Sequence, residues 1–136
     1  MKEPELNATA SAEIIVSPMD LASALSLEAG DSYPPVFSTS RMVALMEIAA
    51  SRILRPFLAI DEQSVGVTID VAHTAATPPG VKVTATARYL GREGKLFVFE
   101  IVAHDCGGEI GRGKHKRAVV AVERLLAGVE RRNKSI

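Results

Sequence analysis

The sequence predicts an α+β domain in which a curved antiparallel β-sheet wraps around one long buried α-helix. From Met42 to Ala50 the chain reads Met-Val-Ala-Leu-Met-Glu-Ile-Ala-Ala, with Glu47 its only charge. A helix apolar on nearly every face belongs in a core. Beyond Asp61 the period shifts from helical to alternating, in segments rich in Val, Ile and Thr that are separated by turns containing Pro and Gly. Such a helix needs cover on more than one side, and a sheet bent around it supplies that cover.

Taken in order, Glu13 to Val16 read as a short first strand stopped by Ser17-Pro18. Asp20 is placed to cap a weak helix through Leu27, which Gly30 ends. The run Ser32-Tyr33-Pro34-Pro35-Val36-Phe37 is a loop carrying two exposed or half-buried aromatics, because two prolines fix the backbone and remove donors. Ser38-Thr39-Ser40 offers caps for the main helix, which runs to about Leu54, with Arg55-Pro56 near its end. Val65, Val67, Ile69, Val71, His73 and Ala75 then share one face of a strand, opposite Thr68 and Asp70. Pro78-Pro79-Gly80 turns the chain into a strand where Val81, Val83, Ala85, Ala87 and Tyr89 alternate with polar residues. After a turn at Gly91 to Gly94, Leu96 to Ala103 is a third strand. After Asp105-Cys106-Gly107-Gly108, Ile110 to Val122 is a fourth, in which Gly111 and Gly113 mark a bulge or a close approach by another backbone. Residues 123–132 finish as a short polar helix. The expected order is one strand, one buried helix and a four-stranded meander. It forms a single domain over residues 13–130, between a flexible N-terminal segment 1–12 and a tail 131–136. Two copies pairing edge to edge would cover the open edges of strands this long.

Bulk properties narrow the function. The 136 residues suffice for one domain with a real core, and 47% hydrophobic residues make the chain globular. Sixteen basic and sixteen acidic residues cancel, which gives no footprint for nucleic acid or a membrane surface. A lone cysteine, Cys106, excludes an intrachain disulfide and suits a reducing compartment. No apolar run reaches the roughly 18 residues of a membrane span, and the N-terminus lacks a signal-peptide pattern, so a cytoplasmic location is expected. The sequence holds no glycine-rich phosphate loop, no Cys/His metal cluster and no Gly-x-Ser-x-Gly elbow.

Chemistry concentrates on a few residues. An unpaired Glu47 in a core would cost several kcal/mol, so it must find partners or stay protonated. Alternation sends His73 to the apolar face that meets the helix, so an acid and an imidazole head for one interior, the raw material of acid/base catalysis. The plain alternative is a structural Glu–His pair satisfying itself in the core. Thr39 serves as a helix cap, and Glu47 lies eight residues on, roughly 12 Å along the axis. The two therefore surround a ligand, belong to different subunits, or are joined by a bend before the helix. A helix start also offers free N–H groups near Ser40 and Arg41 to a developing oxyanion. Gly66 inside a strand marks a bulge or a ligand against the backbone. His104 reads as a surface or turn residue. His115 sits among Lys114, Lys116 and Arg117, a cluster that reads as a solvated strand face able to meet phosphate.

At these residues the chain resembles the hot-dog-fold thioesterases, most closely the fluoroacetyl-CoA thioesterase-like family. The matching stretches are Val36-Phe37-Ser38-Thr39, Met42 to Glu47, Ser64-Val65-Gly66 and, most specifically, His73-Thr74-Ala75-Ala76-Thr77-Pro78-Pro79-Gly80. Ala103-His104-Asp105, Glu109-Ile110-Gly111 and His115 to Val119 continue the match, which covers roughly residues 33–122. The resemblance implies a homodimer with active sites at or near the subunit interface, acting on an acyl-CoA with no separate cofactor and no metal. It implies that Thr39, Glu47 and His73 are catalytic, that Gly66 lines the acyl site together with Val36 and Phe37, and that Arg117 lies near the substrate. It places Tyr33 where the specialised family member has a phenylalanine lid, so a hydroxyl enters an otherwise apolar pocket mouth. The expected reaction is hydrolysis of a small acyl-CoA, with Thr39 as nucleophile or water-polarising residue assisted by His73 and Glu47. A non-catalytic acyl-CoA or metabolite sensor and a hot-dog enoyl-CoA hydratase are the alternatives.

Overall fold

In a computed structural model, which describes residues 2–134, five strands form one antiparallel sheet in the order β1-β3-β4-β5-β2. The strands are β1 (Thr9–Ile15), β2 (Glu62–His73), β3 (Lys82–Glu93), β4 (Leu96–Asp105) and β5 (Gly108–Ala121). Helix α1 (Thr39–Leu54) lies against the sheet, and a shorter helix α2 (Val122–Arg132) follows β5. This is the α+β architecture that the sequence predicts, with a helix against one antiparallel sheet.

Helix α1 forms where its signals place it. Ser38 is the N-cap, its Oγ accepting the Arg41 N–H at 3.2 Å, and Arg55-Pro56-Phe57 closes the far end as a 3-10 turn. Met42, Leu45, Met46, Ala49, Ala50, Ile53 and Leu54 are buried, at the spacing of one helical stripe. Opposite them stand Val83, Ala85, Ala87, Phe99, Ile101 and Ala103. The alanines bring the helix close to the sheet, and each larger buried side chain contributes about 1.5–3 kcal/mol. Burial is not all-round, however. Ile48 is 44% exposed, and Val43, Ala44 and Glu47 are half-buried. The helix packs chiefly on β1 and β3, which leaves this second stripe largely uncovered beside β2.

Several expectations are corrected. The meander has three strands rather than four: β2 pairs with β5 at the far edge, and β1 takes the place beside β3. The segment 74–81 is therefore a crossover rather than a hairpin. Two consecutive prolines supply no donors for a tight ladder turn, and Gly80 takes a φ of 87° where the crossover closes. The first strand begins at Thr9, so residues 9–12 of the supposed flexible N-terminal segment are sheet. Ahead of them the Asn7 N–H donates to the Tyr89 carbonyl, and Tyr89 Oη donates to Glu3. The weak helix over 20–27 is two separate 3-10 turns, Pro18–Asp20 and Ala22–Leu25. Arg131 and Arg132 of the presumed tail complete α2, and residues 135–136 of that tail lie outside the described residues.

Gly111 and Gly113 of β5 prove to be close-approach sites. A Cβ on Gly111 would stand 2.7 Å from the Ala72 carbonyl oxygen, and one on Gly113 would overlap the Asp70 carbonyl oxygen. Because backbone cannot give as a side chain can, Gly113→Ala is expected to cost roughly 3 kcal/mol. Denaturant unfolding measures this, and a change within 0.5 kcal/mol would be the contrary result.

Candidate active site

The first half of the site is assembled at the start of α1. The Phe37 N–H donates to the Thr77 carbonyl and the Ser38 N–H to the Asp20 carbonyl, both at 2.9 Å, which pins the chain entering the helix from two sides. Thr77 is itself buried and donates its hydroxyl to Asp105 Oδ2 at 2.6 Å. Asp20 accepts the Ser17 N–H, the Ser17 hydroxyl and Arg41 Nε, each at 2.9 Å. Burial would raise the Asp20 carboxyl, but the Ser17 bonds and the Arg41 guanidinium overcome it and hold the group below the usual carboxylate range.

This framework delivers Thr39 to His73, with Oγ1 and Nδ1 2.8 Å apart. The pair lies in a cleft of about 300 Å³ walled by Ala22, Pro34, Val36, Phe37, Ala75 and Ala76. Phe37, expected to be exposed or half-buried, is instead buried in the core and sets its ring edge-on to the imidazole at 6.4 Å. His73 Nε2 is buried without a hydrogen-bond partner among the described residues. Burial lowers the His73 pKa, because protonation would place a charge away from water, and the opposing contact with the Ala75 backbone does not overcome it. His73 is thus a neutral imidazole at pH 7 that faces a hydroxyl, the arrangement of a base and its proton donor. Arg41 N–H is spent on the Ser38 cap, so the free donors at the helix start belong to Thr39 and Ser40 rather than to Ser40 and Arg41.

The second half lies further along the helix. Glu47 does not pair with His73. Its Oε1 points at Gly66, where a Cβ would sit 2.9 Å away, and the same Cβ would sit 3.2 Å from His115 Cε1. Gly66 is therefore a close-approach glycine whose near neighbour is the Glu47 carboxylate. It also opens a β-bulge, since Gly66 pairs with Arg117 while Thr68 pairs with Lys116. The bulge reverses the phase of β2: Ile69, Val71 and His73 share a face as expected, but Val67 points outward and is 51% exposed.

The bulge lies opposite the largest surprise. His115 is wholly buried and Arg117 only 6% exposed, so the basic cluster is no solvated face. In β5 every second residue from Gly111 to Arg117 turns inward, a pattern that the interleaved lysines disguise. His115 Nδ1–H donates to the Thr68 carbonyl at 2.8 Å, which leaves Nε2 to accept Arg117 Nη1 at 3.0 Å. Arg117 also donates through Nε to Ser64 Oγ at 3.0 Å and through Nη2 to the Ser64 carbonyl at 2.9 Å. A guanidinium so enclosed is not a phosphate receptor. Burial, and secondarily Arg117, lowers the His115 pKa, while the Thr68 bond and Glu47 pull the other way. Tyr33, expected over the acyl group, is 48% exposed and does not line the Thr39–His73 cleft. Among the described residues, no cluster of His, Cys, Asp and Glu is arranged to hold a metal, and no helix is long and apolar enough to cross a membrane.

Depressed histidines have a thermodynamic signature. As pH falls below 6.5, the unfolded chain takes up protons before His73 and His115 do, so stability drops from there down to their folded pKa values. NMR titration of the ring protons should place both midpoints below 6.5, with the melting temperature falling over the same window. Midpoints at or above the ordinary histidine value would contradict this geometry.

Comparison with known proteins gives one consistent answer. The profile of the fluoroacetyl-CoA-specific thioesterase family matches residues 16–123. The fluoroacetyl-CoA thioesterase of Streptantibioticus cattleyicolor is 46% identical over 100 residues, covering 74% of this chain and 72% of that protein. A solved fluoroacetyl-CoA thioesterase structure superposes with a TM-score of 0.90 at 38% identity, over 96% of this chain and 98% of the other. A point mutant of such an enzyme, solved with fluoroacetate and CoA, superposes with a TM-score of 0.84 at 39% identity, over 89% and 98%.

Proposed function

This chain belongs to the fluoroacetyl-CoA-specific thioesterase family and is a thioester hydrolase, and we propose that it cleaves a small acyl-CoA at the Thr39–His73 pair. The observation that carries the reading is the 2.8 Å contact between Thr39 Oγ1 and His73 Nδ1 inside an apolar cleft. A neutral His73 accepts a proton through Nδ1 from Thr39, or from a water that Thr39 polarises. In the first route Thr39 Oγ1 bonds to the acyl carbon, the C–S bond breaks, CoA leaves as the thiol, and water then releases the acid. In the second, water attacks directly. The Thr39 and Ser40 N–H groups serve the oxyanion.

Glu47 completes the site from a second protomer. On one chain it stands a helical span of roughly 12 Å from Thr39 and meets Gly66 rather than His73. β2 is an edge strand carrying both Gly66 and His73, and the uncovered stripe of α1 with Ile48 lies beside it. Antiparallel pairing of β2 with its copy would cover that stripe. It would also bring the His73 end of one protomer toward Gly66 and Glu47 of the other, one chamber receiving its hydroxyl and imidazole from one chain and its carboxylate from the partner. Glu47 there shares the base role by taking a proton from water. The apolar cleft suits a short acyl chain, and the exposed Tyr33 hydroxyl supplies no apolar lid selective for fluoroacetyl groups.

Thiol release across acetyl, fluoroacetyl, short branched and aryl thioesters identifies the acyl group. His73→Ala and Glu47→Ala should each lower kcat by about 10²–10⁴-fold with folding intact. Full activity in both would end the proposal, and saturable binding without turnover would indicate a sensor instead. Mass spectrometry of stalled reactions finds an acyl group on Thr39 only if the threonine attacks.

Light scattering should give twice the 14.5 kDa chain mass. In mixed dimers of Glu47→Gln and His73→Ala chains, one of the two sites regains every group, so mixing two inactive variants restores activity. Sites contained within one chain would stay dead after mixing.

A further inference from the structure

His115 has no place in the chemistry above, yet it is the most completely buried titratable group beside Glu47 and Gly66. We propose that His115 is a positioning residue that ties the Arg117 guanidinium back to β5 and so keeps it from closing onto Glu47. This rests on the reading of Glu47 as a base, because its consequence is that the carboxylate stays unpaired for the reaction.

The argument is one of competing acceptors. Arg117 carries five N–H donors in a rigid fork, and three are committed: Nε and Nη2 to Ser64, Nη1 to His115 Nε2. Glu47 is close enough for its charge to act on both Arg117 and His115, yet it forms no ion pair or hydrogen bond among the described residues. In so buried a place a free guanidinium would pair with the carboxylate, since a charge-assisted bond is far better there than in water. What prevents it is the imidazole. The Thr68 carbonyl accepts the Nδ1 proton and thereby fixes the tautomer, leaving the Nε2 lone pair aimed at Arg117 as a third acceptor beside the two on Ser64. An Arg117–Glu47 pair would tie up the carboxylate and remove a proton acceptor. Gly66 fits this picture, since its missing side chain leaves the carboxylate room between the two strands.

Two substitutions test the inference. His115→Phe keeps the buried ring and removes both bonds, whereas His115→Gln keeps a donor for Thr68 and an acceptor for Arg117. In the crystal structure of His115→Phe, Arg117 should be found within ion-pair distance of Glu47; in His115→Gln it should stay on Ser64 and residue 115. On any thioester that the unaltered protein cleaves, His115→Phe should lower kcat by at least about tenfold with KM within about twofold, and His115→Gln should retain most of the rate. A purely structural histidine would lower the melting temperature of His115→Phe and leave both readouts unchanged. A folded His115→Phe with Arg117 unmoved, or with a closed pair and an undiminished kcat, overturns the proposal. If the unaltered protein cleaves no thioester, the proposed function fails, and the crystallographic arm alone decides whether His115 holds the guanidinium off.

Discussion

The governing constraint is the rigidity of α1. Its regular geometry fixes Thr39 and Glu47 about 12 Å apart along one axis, so no rotamer can bring both to one atom. Each functional side chain instead takes its partner from a different part of the sheet. Thr39 meets His73 at the end of β2, and Glu47 meets Gly66 at the bulge in that strand's middle. The split is a property of helix and strand geometry before it is a property of catalysis. It is also why an interior acid–imidazole pair does not form.

The N-terminal end of that helix is held with unusual redundancy. Asp20 reads Ser17 and Arg41, and its own carbonyl takes the Ser38 N–H. Thr77 reaches Phe37 through its carbonyl and Asp105 through its hydroxyl. The crossover 74–81, the 3-10 turns before the helix and the β4–β5 turn thus converge on the residues just ahead of Thr39. Three segments distant in sequence share the task of setting one hydroxyl, and none contributes a reacting group.

Much of this was legible in the chain. The apolar run at 42–50 marks the helix and Ser38-Thr39-Ser40 its start, although the cap is Ser38 and not Thr39, and alternation correctly turns His73 inward. What failed had identifiable causes. A bulge inserts one residue and flips the strand beyond it, so Val65 and Val67 could not be counted on the same face as His73. Strand order follows from long-range pairing: Pro78-Pro79 argues against a tight ladder turn but does not say which strands become neighbours. His115 and Arg117 were misread because composition dominated position. Their neighbours Lys114 and Lys116 are surface residues, yet strict alternation from Gly111 and Gly113 puts the histidine and the arginine inside.

The burial of Arg117 bears on how CoA would sit. A guanidinium with three bonds inside the fold is held in place, and moving it to a phosphate would break all three and strand the Ser64 and His115 groups it satisfies. The walls of the Thr39–His73 cleft carry no lysine or arginine. The cleft therefore suits the acyl end of the proposed thioester, whose phosphates would need cations outside it. Of the four basic or histidine residues from 114 to 117, Lys114 is exposed, while Lys116 is only half-buried but engaged by Glu93 at 2.9 Å. The same four-residue run thus divides by strand parity. His115 and Arg117 face inward, and of the two outward lysines Lys114 is exposed and forms no ion pair among the described residues, although it lies in register between Asp70 and Glu100.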